Sequence, residues 1–307
     1  MQRPDILRSV FLKGSSAAAG SLAGPGVASS ASRRRGEQQR EVVLELRGVE
    51  KRFGGVQAID DVSFPVYEGQ ILGLIGPNGA GKTTIFDIIS GFVEPDDGEV
   101  LLFGEDVTFL GPDERARLGL QRSFQDAGLF PALTVAENIA VALERHTDVR
   151  SITMTALGLP NVRKSEAKVR RRVDRLIELL GVGEFRDRFV RELSTGSRRI
   201  VDLACCMAAD PKVLLLDEPS SGIAQREAEE LGPLLQRIKF ETGCTLVLIE
   251  HDMNLIRSIS DELLALDLGA VVTRGAPTTV VEDPRVVDSY LGTSEEAINR
   301  SKPDPSR

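Results

Sequence analysis

Nine residues, Gly76-Pro77-Asn78-Gly79-Ala80-Gly81-Lys82-Thr83-Thr84, set glycines, a lysine and two hydroxyls in the spacing G-x-x-x-x-G-K-[ST]. Glycines let such a loop curl with its backbone N–H groups pointing inward, which makes a concave nest for an anion at a helix N-terminus. Lys82 adds a point charge for β- and γ-phosphates, and the Thr83 hydroxyl is a hard oxygen suited to Mg²⁺. The chain is therefore expected to bind a nucleoside triphosphate. A second set closes the run Lys212-Val213-Leu214-Leu215-Leu216-Asp217-Glu218. An Asp ending a buried strand beside the P-loop strand can hold Mg²⁺ through its water shell. The adjacent Glu218 can polarise an attacking water as a general base.

These groups need elements to place them. Ile71–Ile75 is an apolar run of strand length directly before the loop, and an apolar-periodic segment after it predicts a helix. Upstream, Val42–Phe53 alternates as a strand does, and Asp61–Tyr67 reads as a second, broken from the P-loop strand by Gly69. An antiparallel sheet leading into a parallel core follows from that pattern. Residues 99–107 predict a strand pair, and 113–124 a short helix and then a strand ending at Phe124. From Thr134 to about Met207 the periodicity is helical, with Thr134 and Glu137 spaced as a capping box and an interruption at Leu157–Pro160. Lys164–Leu180 reads as a charged amphipathic helix whose Arg170, Arg171 and Arg172 form a solvated face. Lys212–Asp217 and Cys244–Ile249 read as strands buried on both faces. Helices are expected at Gln225–Phe240, Asn254–Ser260 and within Val280–Tyr290, and strands at Glu262–Asp267 and Ala270–Thr273. The fold class is α/β.

At 307 residues, 41% hydrophobic and 27% charged, the chain suits one large α/β domain or two small ones. Its net charge of −8 argues against nucleic acid as the main ligand. Residues 1–41 are rich in Ser, Ala, Gly and Arg without a sustained apolar period, and are expected to be a disordered leader. The tail, 293–307, is polar and expected to be flexible. Cys205, Cys206 and Cys244 have neither disulfide nor metal spacing and read as small buried hydrophobes. No run approaches the ~18 apolar residues that span a bilayer, so a membrane process would draw its membrane part from another chain.

Glu192-Leu193-Ser194-Thr195-Gly196-Ser197-Arg198-Arg199 lies just upstream of the Asp-Glu strand. With it, the chain resembles an ATP-binding subunit of an ABC transporter, in which L-S-G-G-Q opens a helix at that place. The resemblance runs from about Val42 to Gly292 and implies a RecA-like P-loop NTPase core, an antiparallel β subdomain and a helical signature-motif subdomain at about 126–207. It implies that Ser194 and Gly196 contact the γ-phosphate held by another subunit's P-loop; Thr195 and Ser197 depart from the family's Gly and Gln. It implies that Gln125 senses Mg²⁺ and links the site to the permease, that His251 contacts the γ-phosphate, and that Phe53 stacks on adenine. Ser220–Gln225 takes the place of the family's D-loop, with Ala224 where an Asp is often found.

Lys51-Arg52-Phe53-Gly54-Gly55, Ile249-Glu250-His251-Asp252-Met253 and the ending Asp283–Gly292 are most similar to Liv-type subunits, which energise branched-chain amino acid uptake. The resemblance thus implies an ATPase, with ATP and Mg²⁺, serving import of branched-chain amino acids or related small polar solutes. It implies transmembrane permease subunits, a second ATP-binding subunit (a copy or a paralogue), an extracytoplasmic binding protein, and a place on the cytoplasmic face of the plasma membrane. An export subunit, a soluble non-transport ABC ATPase and a nucleotide-binding module without hydrolysis are the alternatives.

Overall fold

Val42–Phe53 (β1) and Val56–Tyr67 (β2) pair antiparallel across Gly54 and Gly55, both at positive φ. The second strand starts five residues before the Asp61 expected from the sequence. Two adjacent glycines make a two-residue hairpin turn, so pairing resumes at once with Phe53 opposite Val56. This is a computed structural model of the chain, and it describes residues 40–123, 128–144, 160–223 and 225–290. The leader expected at 1–41 (apart from residues 40 and 41), the interruption at Leu157–Leu159, Gln125, Ala224 and the tail at 293–307 lie outside the described residues.

Ile71–Ile75 (β3), buried at every position, leads through the glycine loop into Lys82–Ile89 (α1). Asp97–Leu102 (β4) and Glu105–Asp106 (β5) return to the hairpin, giving an antiparallel sheet in the order β2-β1-β4-β5. Pro112–Leu118 (α2) and Leu120–Ser123 (β6) follow. Between β6 and the next strand the long described elements are helical: Val135–Glu144 (α3), Pro160–Leu180 (α4) and Thr195–Met207 (α5). The predicted capping box forms at α3. Thr134 Oγ1 accepts from Glu137 N at 3.3 Å, and Glu137 Oε2 accepts from Thr134 N at 2.8 Å. Arg170 and Arg171 are exposed on α4 and Arg172 is half-buried, the largely solvated face expected of them.

Val213–Asp217 (β7), Gln225–Thr242 (α6), Thr245–Ile249 (β8), Met253–Ile259 (α7), Glu262–Asp267 (β9), Ala270–Gly275 (β10) and Pro277–Val281 (α8) complete the elements, and residues 284–290 are again helical. The core sheet runs β10-β9-β3-β8-β7-β6, parallel except for the edge pair β10–β9. Alternate residues of its strands feed two hydrophobic cores. Ile71, Leu214, Leu216, Leu246 and Leu248 face the helices α3 to α7, while Leu72, Leu74, Leu215, Val247 and Ile249 face α1 and the antiparallel sheet. Each such fully buried Leu or Ile contributes roughly 1.5–3 kcal/mol. Cys244 is buried and its thiol pushed up to about 12 by that burial; Cys205 and Cys206 are half-buried against the helical core. No helix among the described residues is long and apolar enough to cross a membrane.

One strand neighbour differs from expectation. Asp217 does not end a strand beside the P-loop strand, because β8 lies between β3 and β7. The insertion is useful geometry: Leu74 and Asp217 both register with Ile249 of β8, so the C-terminal ends of three strands align. Two residues past Leu74 comes Gly76, two past Ile249 comes His251, and one past Asp217 comes Glu218.

Candidate active site

The loop after β3 is shaped by its glycines. Gly81 sits at φ +98 as N-cap of α1, and a Cβ there would come 2.7 Å from the Ala58 carbonyl of β2. Gly76, at φ +154, passes so close to the Leu266 carbonyl that a side chain would overlap it. The loop is thereby wedged between the hairpin and β9. Asn78, Gly79 and Thr83 are exposed, Thr84 half-buried, and Pro77 and Ala80 buried. Exposure leaves the Thr83 hydroxyl accessible at the start of α1.

Lys82 is buried, and its Nζ donates to the carbonyls of Gly76 at 2.7 Å and Pro77 at 3.0 Å. The ammonium spans the loop, held by the loop's own backbone. Burial lowers its pKa, and the carboxylates of Glu218 and Asp217 act in the opposite direction.

At the end of β7 the backbone turns sharply. Glu218 adopts φ +48, unusual for a residue with a Cβ, and is held there by its N–H donating to Ile249 O (2.9 Å) and its carbonyl accepting from Ser221 N (3.0 Å). The turn aims the carboxylate at the segment after β8, where His251 Nε2 lies 2.9 Å from Glu218 Oε1. A half-exposed carboxylate against an imidazole can accept a proton from water and share it. Asp217 is half-buried, and its Oδ2 accepts from Arg122 Nη2 at 3.1 Å.

Three residues with no role in the sequence reading complete the frame. Arg122, on β6, reaches Asp87 Oδ1 of α1 at 2.6 Å as well as Asp217, tying the P-loop helix to the acidic strand. Glu250 is 2% exposed, and its carboxylate accepts from the N–H groups of Ser220 (2.7 Å), His251 (3.0 Å) and Asp252 (3.4 Å). An acid directly after five buried strand residues was the available signal for Glu250. Tyr290 Oη accepts from Gly76 N at 2.7 Å, and burial pushes its phenol up to about 12. No local pattern marks Arg122 or Tyr290.

The remaining expected site residues divide. Phe53 ends β1, 48% exposed, with Lys51 Nζ 5.5 Å from its ring centroid. Ser194 is the N-cap of α5, its Oγ accepting from Ser197 N at 3.1 Å, and Gly196 is buried in the first turn. The structure brings Lys82, Asp217, Glu218 and His251 together at the C-terminal ends of the core strands, and places Ser194 and Gly196 on a separate helix start. Gln125 lies outside the described residues.

The chain matches the ABC transporter family over residues 59–221. It is 37% identical over 250 residues to BraF of Pseudomonas aeruginosa, a high-affinity branched-chain amino acid transport ATP-binding protein, covering 81% of this chain and 98% of that one. LivG of Escherichia coli K12, of the same description, is 35% identical over 251 residues with the same shares covered. Among solved structures, the ADP conformation of MJ1267, an ATP-binding cassette of an ABC transporter, superposes with a TM-score of 0.70 at 28% identity, covering 82% of this chain and 99% of that one.

Proposed function

Because this chain belongs to the ABC transporter family, as an ATP-binding and ATP-hydrolysing subunit, we propose that it drives a separate permease importing branched-chain amino acids or related small polar solutes. The carrying observation is the convergence of Lys82, Asp217, Glu218 and His251 at the aligned C-terminal ends of β3, β7 and β8, with the His251–Glu218 contact at 2.9 Å.

In this reading ATP lies with adenine on Phe53 and phosphates in the nest of Gly76–Thr84. Lys82 exchanges the Gly76 and Pro77 carbonyls for phosphate oxygens, a short movement for an ammonium already spanning the loop. Thr83 and Asp217 offer only hard oxygens, which suits Mg²⁺, and with Gln125 they would hold it. Mg²⁺ bound there would neutralise charge on the phosphates. Glu218 takes the proton of the attacking water, while His251 holds that carboxylate and faces the γ-phosphate.

Neither the loop nor the α5 start encloses the γ-phosphate alone, so Ser194 and Gly196 of a second subunit close the site. Closure and reopening reach the permease through the Gln125 region, with the chain peripheral on the cytoplasmic face and an extracytoplasmic protein delivering solute. The domain assignment follows: an ATP-binding domain at 42–292 with a helical subdomain at about 126–207.

The test is uptake into proteoliposomes holding the chain with its permease, supplied with binding protein and labelled leucine, isoleucine or valine. ATP-driven accumulation that Lys82→Ala abolishes is expected. Intact ATP hydrolysis with no uptake of any of the three would overturn the substrate assignment.

A further inference from the structure

The start of α5 already holds an anion. Ser194 Oγ donates to Glu227 Oε1 at 2.8 Å, and the same carboxylate packs so tightly on Gly196 that a Cβ there would overlap it. Glu227 belongs to the first turn of α6, nine residues beyond Glu218. The segment between them is tied at its near end to the catalytic edge, where Ser220 N donates to Glu250 and Ser221 N to the Glu218 carbonyl. The two residues of the α5 start that the functional reading reserves for phosphate, Ser194 and Gly196, are thus the two that Glu227 covers.

We propose that Glu227 is an internal stand-in for the partner subunit's γ-phosphate, seated on the α5 start while the subunits are apart and displaced when ATP closes them. The inference rests on the reading that Ser194 and Gly196 contact nucleotide held by a second subunit. A helix N-terminus with free N–H groups favours an anion, and a carboxylate satisfies that preference when no phosphate is present. Ser194 has one hydroxyl proton, and its Oγ already accepts the Ser197 N–H as N-cap. Donating that proton to Glu227 competes directly with donating it to phosphate. Two anions on one helix start repel, so the carboxylate has to leave before the site closes. The contact therefore sets how much ATP is needed for closure.

The experiment uses the full chain with Glu218→Gln, which slows turnover so that ATP-closed dimers accumulate, titrated with ATP and Mg²⁺ in sedimentation equilibrium. Adding Glu227→Gln keeps the shape and one acceptor but removes the charge, and the midpoint for dimerisation should fall about 3- to 10-fold. Glu227→Ala, which removes the contact altogether, should shift it in the same direction. An unchanged or raised midpoint in both variants overturns the inference, since a carboxylate that merely positions Ser194 would weaken closure when lost. Ser194→Ala in the Glu218→Gln chain separates the two levels. If it dimerises with ATP as readily as its parent, or if the parent never dimerises, the underlying reading of Ser194 fails; if it alone stays monomeric and the Glu227 variants do not shift, only the stand-in role fails.

Discussion

In a Glu250→Ala chain three backbone N–H groups lose their acceptor at once. Ser220 is half-buried, whereas His251 and Asp252 are exposed and water can replace the lost partner there. Leaving the Ser220 N–H unsatisfied costs about 1–3 kcal/mol and each exchange for water a fraction of that, so the loss of stability is about 2–4 kcal/mol. The catalytic effect is separate. Glu250 ties the segment after Glu218 to the backbone of His251, and these two side chains meet at 2.9 Å. With the tie gone, a displacement of about 1 Å between general base and imidazole lowers turnover roughly 10²-fold. The P-loop backbone and Lys82 make no contact with Glu250 through these bonds, so KM for ATP should stay within about threefold. Glu250→Gln keeps one oxygen and can hold Ser220 or the His251–Asp252 pair but not both, so its kcat should fall between the two. Steady-state phosphate release gives kcat and KM, and a urea melt gives stability. A Glu250→Ala protein that loses the expected stability but keeps kcat within about twofold would refute the positioning role and leave Glu250 as packing alone.

Other expectations follow from individual contacts. Glu218→Gln should bind ATP normally while turning over at least ~10²-fold more slowly, measured by nucleotide binding and single-turnover hydrolysis. Arg115, 1% exposed, donates to the carbonyls of Ile88, Ile89, Thr108 and Leu110, closing the C-terminal end of α1. Arg115→Met leaves the carbonyls of Ile89, Thr108 and Leu110 without that donor, while Ile88 O keeps the Gly91 N–H, and should cost about 3–5 kcal/mol in a urea melt. Asp202 of α5 is held by burial at about 6, against an ordinary 3.8, with Arg199 pulling the other way. Below the lower value both states carry the proton. Between the two the folded chain keeps a proton that the unfolded chain has released, so this group's contribution to stability falls as pH rises through that window. Above it the penalty is complete, at most about 3 kcal/mol. Asp202→Asn should therefore raise the melting temperature at pH 7.5 and change it little at pH 4, as calorimetry at the two pH values would show.

How much of this was legible in the chain depends on the distance over which each contact acts. The strands β3, β7 and β8 are continuous apolar runs buried on both faces, and an all-apolar run carries that information locally. The capping box at Thr134 is likewise written within four residues. Strand order is not local: nothing in Thr245–Ile249 says that it inserts between β3 and β7, yet that insertion is what sets His251 against Glu218. Tyr290 meets Gly76 across 214 residues and Arg122 meets Asp217 across 95, pairings that no spacing rule contains. The φ of +48 at Glu218 runs against the preference of its residue type, so it emerges only when the strand ends are assembled. Glycines of the loop, by contrast, announce their conformations, because Gly79 and Gly81 sit where a side chain would be strained.

Enclosure of one ATP by two chains can be tested by complementation. Lys82→Ala disables the loop and Ser194→Ala disables the α5 start, so each variant alone should release almost no phosphate. Mixed in equal amounts, they form dimers in which the intact loop of one faces the intact α5 start of the other. Phosphate release well above the sum of the two separate chains is expected; release no greater than that sum, in a mixture shown to contain the mixed dimer, would rule out a site shared between two chains.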